Sequence, residues 1–205
     1  MSPARVLLCW RLAAWTLATA PLLQLGWLIL QGRLGANPVE FIEHHSGQWA
    51  LRLLLLTLAM SPLRERLKRS EPLRIRRLLG LWAFAWACLH FSIYLTFDLE
   101  FSARQLAADL IKRRYITLGF AALLLLLPLA LTSTRGWQQR LKRRWATLHK
   151  LIYPAALLAA LHFVWLVKSD LREPLLYLAL LLGLLLWRRP WRVILRARKQ
   201  PVIST

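Results

Sequence analysis

The sequence predicts an all-α integral membrane protein, a bundle of six transmembrane helices with both termini in the cytoplasm, as a single domain over residues 1–205. Three observations carry this expectation. Apolar residues make up 58% of the 205-residue chain, above the roughly 45–50% usual for soluble domains, and the mean hydropathy is +0.43. The formal net charge is nevertheless +20, with a pI of 11.7. The basic residues gather between recurrent apolar runs, as they do in the loops of a membrane protein. A nucleic-acid binder of this basicity would carry its charge on a polar face with less leucine, so no nucleic-acid partner is expected.

Six runs are read along the chain: 12–30, 49–63, 78–97, 115–131, 147–167 and 174–187. A helix crossing the hydrocarbon core needs about 17–25 residues, and the first, third, fourth and fifth runs are near that length. The second is short and interrupted by Arg52, and the sixth is short. Both can still span if flanking arginine and tryptophan side chains snorkel to the headgroups. A signal peptide competes for the N-terminus, but the first run exceeds an h-region of about 7–15 residues and no small-x-small cleavage site follows. The two cysteines, Cys9 and Cys88, lie in or beside apolar runs without CxxC or Cys/His spacing, so neither a zinc site nor a disulfide framework is indicated.

Charge orients the runs. With the N-terminus inside and six alternating helices, the inner side collects 21 basic residues and the outer side 8, while seven of the nine acidic residues fall outside. This distribution obeys the positive-inside rule at every loop, and the basic loops can touch anionic lipid. Trp49, Trp145, Trp165 and Trp187 stand near run ends, where interfacial belts form. The loops are short and contain no glycine-rich phosphate loop, repeat or low-complexity segment. The work of the protein therefore falls to the bundle or to its partners.

Two histidines interrupt the apolar runs at one depth. His90 precedes Asp98 by eight residues and His162 precedes Lys168 by six. At about 1.5 Å per residue they sit roughly 12 Å and 9 Å below the outer boundary. The third and fifth runs are parallel, so two imidazoles at that depth can ligate a flat metal cofactor between them. Histidine is a common axial ligand of heme iron, and facing helices of bundles commonly house cofactors. Hydrogen bonding between helices is the plainer role for a membrane histidine. His149, thirteen residues before His162, points about 140° away from it on a straight helix. The two can address one cleft if the helix bends or unwinds, which Pro154 permits. His44 and His45 lie in "GANPVEFIEHHSG", read as a loop or short interfacial helix. With Glu40 and Glu43 they resemble weak metal ligands, but a structural or surface role is expected, with proton handling near a quinone as the alternative.

The segments "GANPVEFIEHHSG", "SPLR", "RIRRLLGLWAFAWACLH", "RRYITLGF", "LTST", "RWATLHKLIY" and "LHFVWLVK", in this order and spacing, cover most of the chain. Through them it resembles the MsrQ (YedZ) family, heme-binding membrane subunits of the periplasmic methionine sulfoxide reductase system, within the ferric-reductase-like transmembrane superfamily. The resemblance implies heme b and FMN as cofactors and maps heme ligands onto His90, His149 and His162. It implies a bacterial inner-membrane electron carrier rather than a catalytic subunit. Quinone or a cytoplasmic flavin reductase would be the donor. A periplasmic molybdopterin-containing reductase that repairs oxidised proteins would be the acceptor. Larger relatives carry two histidine pairs, whereas the third run here offers only His90, so a second symmetric heme is not expected. Flavin, a second carrier nearer the inside, could set its phosphate near Arg76, Arg77 and His149. Other readings are a cytochrome b reducing ferric iron or another outer acceptor, and a heme-free transporter or assembly factor. Against the latter, no intramembrane carboxylate and no broken-helix repeat pair is evident.

Overall fold

A computed structural model describes residues 3–188. The basic residues Arg189 to Lys199, counted above on the inner side, lie outside the described residues. Within them the chain is helical, with no strand. The order is α1 (Pro3–Leu30), α2 (Pro38–Leu67), α3 (Glu71–Phe97), α4 (Ala103–Lys112), α5 (Arg114–Leu131), α6 (Arg135–Leu141), α7 (Arg143–Leu148), a 3₁₀ turn (His149–Leu151), α8 (Ile152–Leu166) and α9 (Arg172–Arg188). Four stretches, Ala4–Leu30, Glu71–Phe97, Arg114–Leu131 and Arg143–Leu166, are long and apolar enough to cross a membrane. They correspond to the first, third, fourth and fifth runs.

The segment read as a loop or short interfacial helix around His44 and His45 is instead the start of a 30-residue α2. The Asn37 side chain accepts from the Glu40 N–H at 3.4 Å, and Pro38 sits where its missing N–H costs nothing. Cap, proline and first-turn carboxylate together start the helix well ahead of the apolar stretch. Arg52, the interruption in that stretch, holds α9 in place. Its Nε donates to Tyr177 Oη at 2.6 Å, its Nη2 lies 3.5 Å from Glu173, and Gln48 bonds both Arg52 and Glu173. Arg52 Nε and Nη2 and Gln48 Nε2 thus each have an acceptor, as an apolar surround demands.

The fifth run is not one continuous helix. Pro154 cannot donate to the carbonyl four residues back and its ring crowds that carbonyl. The chain takes the 3₁₀ turn His149–Leu151 just before α8. The helix is thus locally rewound before Pro154, at the place where a bend or unwinding was expected.

Helix α2 runs along α3, α5 along α8, α9 closes against α8 and α2, and α1 leans on α3. Leu53, Leu58, Trp86 and Leu181 are fully buried between them, with Ala155, Ala156 and Ala160 allowing α8 to approach closely. Trp86 Nε1 donates to the Ala18 carbonyl at 3.0 Å, tying α3 to α1. The perimeter is apolar: Leu23, Trp27, Leu124, Leu176 and Leu186 stand exposed, a surface suited to lipid and costly in water. Trp165 and Trp187 are half-exposed near helix ends, whereas Trp145 turns inward and donates to the Thr132 carbonyl at 2.9 Å.

Two short helices were not anticipated. Beyond α3, Glu100 and Phe101 adopt left-handed φ of 46° and 61°, an uncommon conformation for non-glycine residues. Buried Leu99 and the bond from Phe101 N–H to the Leu95 carbonyl at 2.9 Å hold this reversal. It leads into α4, capped by Ser102, whose Oγ accepts from the Gln105 N–H. The other, α6, is capped by Thr134.

Candidate heme site

His90 on α3 and His162 on α8 face each other across a cavity of about 290 Å³. Their ring centroids are 6.2 Å apart and their planes inclined by 68°. Two imidazoles on one metal, with metal–nitrogen bonds of about 2 Å, place their centroids roughly 6 Å apart. The observed separation matches that requirement. Among the described residues no three His, Cys, Asp or Glu side chains converge on a bare metal ion. Two axial nitrogens are what a porphyrin iron asks of the protein, since the macrocycle supplies the rest.

The protonation of both rings follows from their partners. His162 Nδ1 lies 2.7 Å from the Tyr115 carbonyl oxygen. A carbonyl only accepts, so Nδ1 carries the proton and, in the neutral ring, Nε2 keeps its lone pair. Ser46 Oγ donates its one proton to the Glu43 carbonyl at 3.0 Å, so at 3.2 Å it accepts from His90 Nδ1. Both imidazoles therefore hold the tautomer that offers Nε2 to a metal, through the outer hydrogen bonds that metal-binding histidines customarily make.

Two glycines make room for the rings. A Cβ at Gly119 on α5 would stand 2.9 Å from His162 Nδ1, and one at Gly47 on α2 would stand 3.1 Å from His90 Cε1. Each histidine is thus pressed flat against the backbone of a neighbouring helix. Ser46, Gly47, Tyr115 and Gly119 were not singled out in the sequence. The available signal was glycine inside an otherwise helical pattern, which is unfavourable by about 1 kcal/mol and asks for a packing reason.

The cavity is apolar along Leu54, Ala83, Ala87, Leu126 and Ala159 and polar at one end, where Glu40, Glu43, Gln48, Tyr94, Asp98 and Arg113 meet. Glu43 stands in the polar start of α2, ahead of the apolar stretch 49–63. Its pKa is pushed up to about 8, first by burial, then by its hydrogen bond with Asp98 and the charges of Asp98 and Glu40. One of its oxygens, Oε1, is buried without a hydrogen-bond partner.

The other histidines divide. His44 lines the cavity and meets Phe163 edge-on, so it is not a surface residue. His45 points away, its Nε2 donating to the Pro21 carbonyl at 3.3 Å and its ring packed near Phe41, Trp49 and Trp86. It joins α2 to α1. His149 does not line the cavity. It stacks on Trp145 with centroids 3.9 Å apart and its Nδ1 donates to the Trp145 carbonyl at 3.1 Å. The structure therefore brings His90 and His162 together and leaves His149 apart from them.

Comparison with known proteins gives the same direction. Residues 46–160 match the model of the family described as ferric reductase like transmembrane component. The "Protein-methionine-sulfoxide reductase heme-binding subunit MsrQ" of Xanthomonas axonopodis pv. citri is 55% identical over 177 residues, covering 83% of this chain and 81% of that protein. The protein of the same name from Xanthomonas campestris pv. campestris is 55% identical over 179 residues, covering 83% and 82%. The one from Rhodospirillum rubrum is 48% identical over 177 residues, covering 86% and 85%. No solved structure matches the chain. With its helical bundle, its apolar perimeter and these relatives, the chain belongs to the MsrQ heme-binding subunits, within the ferric-reductase-like transmembrane components.

Proposed function

We propose that this chain is the membrane electron-transfer subunit of a methionine sulfoxide reductase system, with heme b held between His90 and His162. The observation that carries the reading is the pair of imidazoles 6.2 Å apart, each with its Nδ1 proton engaged and its Nε2 free. Heme iron supplies a one-electron couple when bound. The protein's part is to fix the tautomer through Ser46 and the Tyr115 carbonyl, to hold both rings flat against Gly47 and Gly119, and to keep the cavity walls dry with leucine and alanine. Ligand type and burial then tune the potential.

In this reading all six long helices cross a bacterial inner membrane with both termini in the cytoplasm, as the basic loops require. The polar end of the cavity then faces the periplasm, where the acceptor is a molybdopterin-containing subunit that reduces methionine sulfoxide in oxidised proteins. The chain itself carries out no substrate chemistry. Electrons arrive from the quinone pool or a cytoplasmic flavin reductase. FMN is the second carrier, on the inner side near Arg76, Arg77 and His149. His149, stacked on Trp145, borders that inner region and is the third candidate ligand.

A reduced-minus-oxidised visible spectrum of detergent-purified protein tests the reading, beside His90→Ala, His149→Ala and His162→Ala. A b-type spectrum that collapses in His90→Ala and His162→Ala and survives in His149→Ala is the expected result. Folded wild-type protein that stays colourless under ample heme supply would refute it.

A further inference from the structure

The ends of the cavity differ. Helix α2 enters it from its N-terminal part, α3 leaves it at its C-terminus, and α5 begins beside it. The polar residues of all three helices therefore meet at one end, and the remainder of the lining is chiefly apolar. A heme b ring carries two carboxylate side chains on one edge. Buried in the apolar part, those carboxylates would lack both water and donors, at a cost of several kcal/mol or more. Once His90 and His162 fix the ring, its carboxylate edge has to face the polar end.

Arg113 is the one cation among the described cavity residues apart from histidine. Its guanidinium is already oriented. Nε lies 3.3 Å from Asp109 Oδ1, and the other carboxylate oxygen of Asp109 accepts from Tyr94 Oη at 2.7 Å. Arg113 closes α4 and opens α5, and its N–H donates to the Asp109 carbonyl at 2.8 Å. The strained reversal at Glu100 and Phe101, together with α4, thus delivers one arginine to the rim of the site. The ion pair engages Nε and the Tyr115 side chain also bonds the guanidinium, which leaves the remaining N–H donors of the fork for another carboxylate. Three acids share this end, Glu40, Glu43 and Asp98. Glu43 and Asp98 are turned toward each other, so Arg113 is the group of opposite sign that an incoming carboxylate would meet there.

We propose that Arg113, held ready by Asp109 and Tyr94, is the positioning residue that receives the carboxylate edge of the heme at the polar end of the cavity. This assignment rests on the heme reading above and adds to it the direction in which the ring enters.

The test uses full-length protein made under heme limitation and titrated with heme b or with its dimethyl ester, in which both carboxylates are capped. Affinity is read from the Soret band and axial ligation from the low-spin electron paramagnetic resonance signal. Wild type is expected to prefer the free acid by about ten-fold, the scale of one charge-assisted contact. Arg113→Gln should lose most of that preference while binding the diester as wild type does, with an unchanged low-spin signal. Arg113→Lys should recover part of it, as a point charge without the fork. Arg113→Gln weakening both pigments equally would make the residue merely structural, and a retained preference would assign the carboxylates elsewhere. Either result overturns this proposal and leaves the heme reading standing. Wild-type protein that binds neither pigment defeats the heme reading, and this proposal with it.

Discussion

At His162 a single atom, the Tyr115 carbonyl oxygen, decides which ring nitrogen is protonated, and a single missing methyl, at Gly119, decides where the ring lies. Adding that methyl by Gly119→Ala leaves 2.9 Å to His162 Nδ1, so the imidazole has to move and its bond to the Tyr115 carbonyl stretches. Heme content of Gly119→Ala should fall severalfold, or its low-spin spectrum should change. Gly47→Ala, with 3.1 Å to His90, should do the same more mildly, and pyridine hemochrome assay with low-temperature spectra measures both. Ser46→Ala should weaken heme affinity by roughly 10–100-fold, the usual scale for loss of an outer-shell partner. Glu43 gives a pH dependence. Its folded pKa of about 8 lies above the ordinary 4.5, so the folded state holds an extra proton between those values and stability declines as pH rises through that window. Melting in detergent at pH 5.5 and 8.5 should show a larger loss for wild type than for Glu43→Gln. The depth match of His90 and His162 was legible because it needs only distances along two helices. Their partners were not, since Ser46 and Tyr115 lie 44 and 47 residues away in sequence and meet them only through packing.

Among the elements, the apolar runs marked the long helices well because length and hydropathy are local properties. The start of α2 was misread because Asn37-Pro38 and Ser46-Gly47 read as loop punctuation, although Asn37-Pro38 is equally a competent helix start. The polar faces of that extension are accounted for by tertiary partners: Pro21 for His45, His90 for Ser46, and Glu173 for Gln48. Arg52 looked like a fault in a span and proves to be the clasp for α9. Glu173→Gln keeps the shape and removes the charge. With Arg52 and Glu173 one-third to one-half exposed, the loss should be small, about 1 kcal/mol or less. Arg52→Leu should destabilise more, by removing the Tyr177 and Gln48 bonds as well. Thermal unfolding of the two variants side by side ranks them.

For the whole molecule, orientation follows from charge asymmetry. In a Cys9→Ser, Cys88→Ser background, a thiol reagent that cannot cross membranes should label Lys168→Cys in intact spheroplasts. It should label Gly136→Cys only after lysis. The reverse pattern would invert the bundle and place the polar end of the cavity against the cytoplasm. The helical assembly brings four packed helices, α2, α3, α5 and α8, around one cavity, which no single run could have announced.

The two glycine contacts have a consequence for small gases. Each imidazole is backed by the main chain of a neighbouring helix, which closes one direction in which the ring could swing. A heme held by both rings would offer carbon monoxide or dioxygen no vacant coordination position, so slow or absent gas binding would set this site apart from one that activates oxygen.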